Sequence, residues 1–180
     1  MKTKKVIVEN YNPLWAEAFQ NIKKELASVL NDDVLSIEHV GSTSVAGLKA
    51  KPIIDIDIII DDQNQFDEIK QKLMDIGYMH EGDQGIEGRE AFGYVDKSHL
   101  MRHHLYVCQK DNFHLKRHLA LRDHLRNHPN DVEAYGKLKE ALSKLYPENI
   151  DKYIEGKSEL ILNIYKIYGL DKENDWDWSK

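Results

Sequence analysis

Apolar positions along the chain fall into two periods, and each period predicts a different element. From Pro13 to Leu30, Trp15, Phe19, Ile22, Leu26 and Val29 recur every three or four residues, the stripe of a helix laid on a sheet. Asn12 and Pro13 stand where such a helix starts, as N-cap and first helical residue. Residues 53–60 read IIDIDIII, six isoleucines in eight positions, which predicts a buried strand. Val34 to Val40 predicts the first central strand, and Lys5 to Glu9 a short edge strand. Gln65 to Ile76 predicts an amphipathic helix, with Phe66, Ile69, Leu73 and Ile76 inward and Gly77 as its stop. Strands are expected at Tyr78 to His80, Ala91 to Val95 and His103 to Gln109, the last two as a hairpin joined through Asp96 to Met101. Three helices then close the chain: Phe113 to Asn127 ended by Pro129, Val132 to Tyr146 capped by Asp131, and Ile150 to Tyr168 stopped by Gly169.

A run of strands and helices followed by helices alone predicts an α/β (α+β) fold, a mixed β-sheet with flanking helices and a C-terminal helical bundle. The organisation expected is residues 1–111 as core, 112–170 as a helical part packed on it, and 171–180 as a polar tail carrying Trp176 and Trp178. At 180 residues the chain suits one domain that needs no disulfide staple. Its 41% hydrophobic and 31% charged content is ordinary for a globular protein. A net charge of −6 argues against extended nucleic-acid binding, which needs clustered Lys and Arg. The single cysteine, Cys108, reads as strand packing and fits a reducing cytoplasm. Neither a signal-peptide core nor a membrane span is expected.

The candidate chemistry lies where the isoleucine run is interrupted. Alternation along a strand puts Asp55 and Asp57 on one face, roughly 6.6 Å apart at about 3.3 Å per residue. Two like charges on an apolar strand are costly unless something neutralises them, and a shared divalent cation, Mg or Mn, does so. Just upstream, Gly41 permits close backbone approach, Ser42, Thr43 and Ser44 offer hydroxyls, and Lys51 adds positive charge, together a phosphate cradle. Glu38 and His39, at the mouth of that turn, fit a supporting role or a solvated strand end equally well. On the strand at 103–109, His104 and Tyr106 share one face while His103, Leu105 and Val107 share the other. Among the later helices, Arg117, Arg122 and Arg126 suit phosphate recognition, although Arg122 with Asp123 equally suits an internal ion pair. His114 with His118, and His124 with His128, are spaced four apart; with no acid or cysteine added, they read as solvated or salt-bridged. Lys137, Lys139 and Lys157 read as surface residues, one of which could reach the cleft.

The conjunction of Val40-Gly41-Ser42, a spacer, and Asp55-Ile56-Asp57-Ile58 resembles the signature of the nucleotidyltransferase superfamily. More closely, the segments EHVGSTSVAGLKAKPIIDIDI (residues 38–58), RHHLYV (102–107), LRDHLRNHP (121–129) and AYGKLK (134–139) resemble the GrpB family. The resemblance spans about Val6 to Gly169 and implies a nucleotidyltransferase-like fold. It also implies divalent-metal-dependent transfer of a nucleotidyl group from an NTP, with Asp55 and Asp57 as metal ligands. Gly41, Ser42, Thr43, Ser44, Lys51, Arg122 and Arg126 would meet the nucleotide phosphates. In active nucleotidyltransferases a third carboxylate comes from a neighbouring strand, where this chain has His104 and Tyr106. That departure leaves open an altered metal chemistry with His104 catalytic, or a module that only binds a nucleotide or coenzyme A-like molecule.

Overall fold

Helix α1 (Leu14–Leu30) begins behind Asn12, whose Oδ1 accepts the Leu14 N–H at 3.0 Å, and buries Trp15, Phe19, Ile22, Leu26 and Leu30. The computed structural model describes residues 5–171, so the expected tail at 172–180, with Trp176 and Trp178, lies outside the described residues. After α1 come β1 (Ser36–Val40), β2 (Ile54–Ile60), α2 (Phe66–Asp75), β3 (Tyr78–Gly82), β4 (Arg89–Tyr94) and β5 (His103–Gln109). Helices α3 (Phe113–Asn127), α4 (Pro129–Leu145) and α5 (Ile150–Ile167) complete the described chain.

The five strands form one mixed sheet in the order β1-β2-β5-β4-β3. β2 lies antiparallel to β1 and parallel to β5, and β4 lies antiparallel to both β5 and β3. β1 is thus an edge strand, not the central one its apolar content suggests, because the turn after Val40 folds the chain back onto its inner side. Residues 5–9 contribute a single bridge, Glu9 to Ala50, in place of the expected edge strand. The isoleucine strand takes the interior: Ile54, Ile56, Ile58 and Ile60 pack with the apolar stripes of α1 and α2 as the main core. Burying a side chain of this size is worth about 1.5–3 kcal/mol, so this face of β2 fixes its register against slipping by one residue.

The opposite face is covered unevenly. Leu115 and Leu119 of α3 close over Ile59 and Cys108 at one end. Val45 and Leu48, from the turn after β1, join Leu125, Tyr135 and Ile164 in a second cluster that anchors the helical part. Asp57 and Asp55 stand progressively closer to the open end. Pro129 begins α4 instead of only ending α3, with His128 as the joining residue at φ −130° and ψ 81°, outside the helical region that is disfavoured before proline. Asp131 therefore does not cap the helix, and its carboxylate accepts from His124 Nε2 at 2.7 Å instead. Among the described residues no helix is long and apolar enough to cross a membrane.

Candidate functional site

Strand register assembles the centre of the site. Asp55 pairs across the sheet with His104, and Asp57 with Tyr106, so all four side chains leave the same face. His104 Nδ1 donates to Asp55 Oδ1 at 2.9 Å. His118, from α3, donates through its Nδ1 to Asp57 Oδ2 at 2.7 Å. A carboxylate only accepts, so each ring carries its proton on Nδ1. Burial would raise the Asp55 pKa, but the His104 hydrogen bond and the charges of His104, His118 and Lys51 hold it below the usual range. Burial would lower His118, yet the charge and hydrogen bond of Asp57 raise it. Asp57 is fully buried, and its Oδ1 has no hydrogen-bond partner among the described residues. A buried carboxylate oxygen left without a partner costs about 1–3 kcal/mol or more.

The turn after β1 presses against this pair. Gly41 has φ +69°, and a Cβ there would stand 2.3 Å from Asp55 Oδ2, so only glycine lets the backbone pass. Two of the three hydroxyls expected in the phosphate cradle hold the turn itself. Ser44 Oγ donates to Gly41 O at 2.6 Å, and Thr43 Oγ1 donates to Ile53 O at 3.1 Å while accepting from His39 Nε2. Ser42 lines the cavity described below. His39 is stacked on Phe19 at 4.6 Å. Burial lowers its pKa to about 4, Asp55 opposing and Arg126 and Arg122 adding to the fall.

Both arginines named for phosphate contact are engaged with protein. Arg122 donates through Nη1 to Glu38 Oε2 at 2.7 Å and to His39 O, and through Nε to Asp123. Arg126 donates through Nε and Nη2 to Ser44 O, at 3.1 and 2.8 Å. They clamp α3 to the turn around residues 38–44. Tyr106, in turn, lies under Arg89, whose guanidinium carbon is 4.3 Å from the ring centre. Glu90 points away and bonds His80 at 2.6 Å, so it supplies no third acid. Among the described residues no three His, Cys, Asp or Glu side chains converge as a metal site.

Positive charge reaches the site from elsewhere. A cavity of about 190 Å³ is lined by Ser42, Lys51, Asp55, His104, Lys139 and Lys157, with Tyr153 and Ile154 behind them. Larger hollows exist. One of about 460 Å³ lies beside β4 with His104 on its rim, one of about 440 Å³ lies between α4 and α5, away from Asp55 and Asp57, and one of about 410 Å³ lies beside Gly47 and Gly136. Chemistry, not size, marks the smaller one. Lys139, expected at the surface, is 2% exposed. It lies in the apolar interval between Tyr135 and Leu142, a signal of burial that its charge masks. Lys157 is half-buried beside it, and Lys137 alone of the three is exposed. His118 and the two cavity lysines were visible in the sequence, but as a solvated or salt-bridged histidine and as surface lysines of which one could reach the cleft; the structure brings all three to the site.

The family model described as GrpB protein matches residues 5–167. The UPF0157 protein YqkA of Bacillus subtilis is 37% identical over 178 residues, which is 98% of this chain and 49% of that protein. The chain thus spans about half the length of that relative. The crystal structure of conserved protein GrpB from Enterococcus faecalis superposes with a TM-score of 0.78 at 37% identity, covering 92% of this chain and 98% of that one. A mutant of the Cid1 poly(U) polymerase bound to MgATP superposes with a TM-score of 0.51 at 10% identity, over 74% of this chain and 45% of that one, a likeness of fold alone. Matched over nearly all its length, the chain belongs to the GrpB family and has a nucleotidyltransferase-like fold.

Proposed function

We propose that this protein transfers a nucleotidyl group from a nucleoside triphosphate to a hydroxyl acceptor, with a divalent ion, Mg or Mn, held by Asp55 and Asp57. The observation that carries the reading is the Asp55–Asp57 face, with Gly41 pressed against one carboxylate and Asp57 Oδ1 buried without a partner. Two carboxylates with ligand phosphates and water are a donor set that suits Mg, which seldom has an all-protein cage. When bound, such an ion would offset charge on the reacting phosphate and make the acceptor hydroxyl more acidic. His104 is the residue for proton transfer: Asp55 fixes the ring through Nδ1, which leaves Nε2 able to accept a proton from the acceptor. Ser42 and Lys51 line the cavity and would meet phosphate oxygens, while Asp57, Glu38 and His39 hold their neighbours in place. The Mg-nucleotide in the distantly similar Cid1 structure is consistent with this use of the fold.

Substituting Asp55→Asn and Asp57→Asn tests the reading. Labelled nucleoside triphosphate incubated with protein and Mg or Mn should yield labelled product and pyrophosphate, and each variant should abolish both. Product formed unchanged by the double variant refutes the mechanism.

A second reading, a module that binds a nucleotide or coenzyme A-like molecule without chemistry, is favoured by one observation. Where a third carboxylate would stand, Tyr106 lies under the buried Arg89 guanidinium. That reading expects thermal stabilisation by a nucleotide with no product after long incubation.

A further inference from the structure

Lys139 breaks a rule that buried amines otherwise keep: its Nζ is buried and has no hydrogen-bond partner among the described residues. Its ring contact is Tyr135 on its own helix, with Nζ 4.4 Å from the ring centre. Lys157 of α5 repeats the arrangement over Tyr153 at 4.7 Å. Lys51 enters from the segment before β2, Asp55 from β2 and His104 from β5, and these groups line one cavity. The neighbouring acid, Glu140, is turned outward to Lys49 at 2.5 Å. Asp55 is the single carboxylate on the cavity wall, and its Oδ1 already accepts from His104. Three amines thus face one partly engaged carboxylate. A lysine that served packing alone would be matched by a buried acid or carbonyl, as Lys97 is by Glu25 and Ile76 O.

We propose that Lys51, Lys139 and Lys157 form a seat for the terminal phosphate group of the ligand, so that this protein takes a di- or triphosphate whose chain runs from Asp55 towards α4 and α5. A cavity of about 190 Å³ is below the roughly 300–1,000 Å³ of a whole-ligand pocket, and suits a phosphate chain rather than a complete nucleotide. The inference rests on the nucleotidyl-transfer reading for the direction of that chain; the anion seat itself stands on the lysines.

A proton accompanies the anion. In the protein alone, burial and the charge of Lys157 hold Lys139 well below the ordinary lysine range, with Asp55 opposing. Burial and the charge of Lys51 bring Lys157 to about 8, Asp55 again opposing. Phosphate charge placed among them reverses the balance, so binding near pH 8 draws about one proton from solution.

Calorimetric titration of inorganic triphosphate, without divalent metal, near pH 8 in two buffers of different ionisation enthalpy tests this. Saturable binding with proton uptake is expected. Lys139→Met should weaken binding at least about tenfold, the effect of losing one charge-assisted contact, and reduce the uptake. The same variant should melt higher than the parent, because an apolar group replaces a buried amine that has no hydrogen-bond partner among the described residues; a lysine that only supports packing would give a lower melting temperature. Lys157→Gln, at a half-buried position, should also weaken triphosphate binding should Lys139→Met fail to fold. Triphosphate that does not bind, binds without proton uptake, or binds both variants as well as the parent overturns the seat. Asp55→Asn removes the carboxylate from the wall of the seat, so it should keep or strengthen triphosphate binding while abolishing nucleotidyl transfer, and the two readings fail separately.

Discussion

Replacing Gly41 with alanine probes the site where backbone and carboxylate are nearest. Gly41 sits at φ +69° and ψ −174°, a region that is essentially reserved for glycine and costs other residues about 1–3 kcal/mol. The new Cβ would lie 2.3 Å from Asp55 Oδ2 and 3.0 Å from the Asp55 Cβ. The carboxylate end can swing aside, but its Cβ is fixed to β2 and moves only with the strand. Restoring ordinary contact requires Oδ2 to retreat by roughly 1 Å, which also strains the His104 bond at 2.9 Å. A shift of that size in a reacting group costs about 10² in rate. The backbone strain corresponds to a fall of roughly 2–12 °C in Tm for a chain of this length.

Scanning calorimetry and Mn titration followed by electron paramagnetic resonance separate the two effects. Gly47→Ala is the control: its φ is +81°, yet nothing lies within 4 Å of its Cβ. Gly47→Ala should lose stability through its own positive φ and keep Mn affinity, while Gly41→Ala should lose both. Equal Mn affinity in the two variants would show that the close passage past Asp55 does not position a metal ligand.

Other perturbations bear on separate links. Asp57→Asn leaves the raised-pKa His118 facing a neutral amide, and breaking a buried pair from one side should cost about 3–5 kcal/mol in urea unfolding, partly restored by adding His118→Asn. His104→Gln should lower transfer by about 10²–10⁴ with little change in calorimetric nucleotide affinity; an equal loss in affinity would make His104 a binding group instead. His39 has a folded pKa of about 4 against 6.5 unfolded. The unfolded chain takes up a proton the folded chain refuses, so stability should fall by up to about 3 kcal/mol as pH drops through that window, and melting of His39→Gln should show a flatter profile. His118 works in the opposite sense: its folded pKa is raised, so its contribution is present in full below 6.5 and fades as pH rises through the folded value.

The parts of the site that were legible in the sequence are those set by local period. Asp55 and Asp57 interrupt a run of isoleucines, so their shared face followed from alternation alone, as did the pairing of His104 with Tyr106 on one face. Which neighbour each aspartate meets was not legible, because it depends on the parallel register of β2 with β5 across 49 residues. His118 shows the same gap. Its four-residue spacing to His114 suggests a partner on its own helix, whereas the partner it has is Asp57, 61 residues away. Lys139 was misread for a different reason. Charge outweighs pattern in a reading by residue type, yet its place three before Leu142 and four after Tyr135 puts it on the buried stripe of α4. The arginines were read as phosphate contacts, with an ion pair to Asp123 as the alternative for Arg122; that pair is present, and since one guanidinium serves a carbonyl or a phosphate equally well, only packing decides which.

These placements give the site two poles that the chain does not balance by itself. At one pole two carboxylates are held by histidine rings, and one buried oxygen of Asp57 has no partner. At the other, three lysines share a cavity wall with Asp55, and one amine has no hydrogen bond among the described residues. Neither pole relieves the other, because Asp55 is engaged with His104 and both α-helical lysines lie along tyrosine rings. A ligand that brings a cation to the first pole and a phosphate chain to the second would satisfy both at once. A cation alone would leave the lysines unmatched, and an anion alone would leave the Asp57 oxygen unmatched. On the proposed reading this is why the charges are left uncompensated within the fold: compensation from inside, by an acid beside Lys139 or a lysine beside Asp57, would stabilise the protein and remove its differential attraction for a metal-bound polyphosphate.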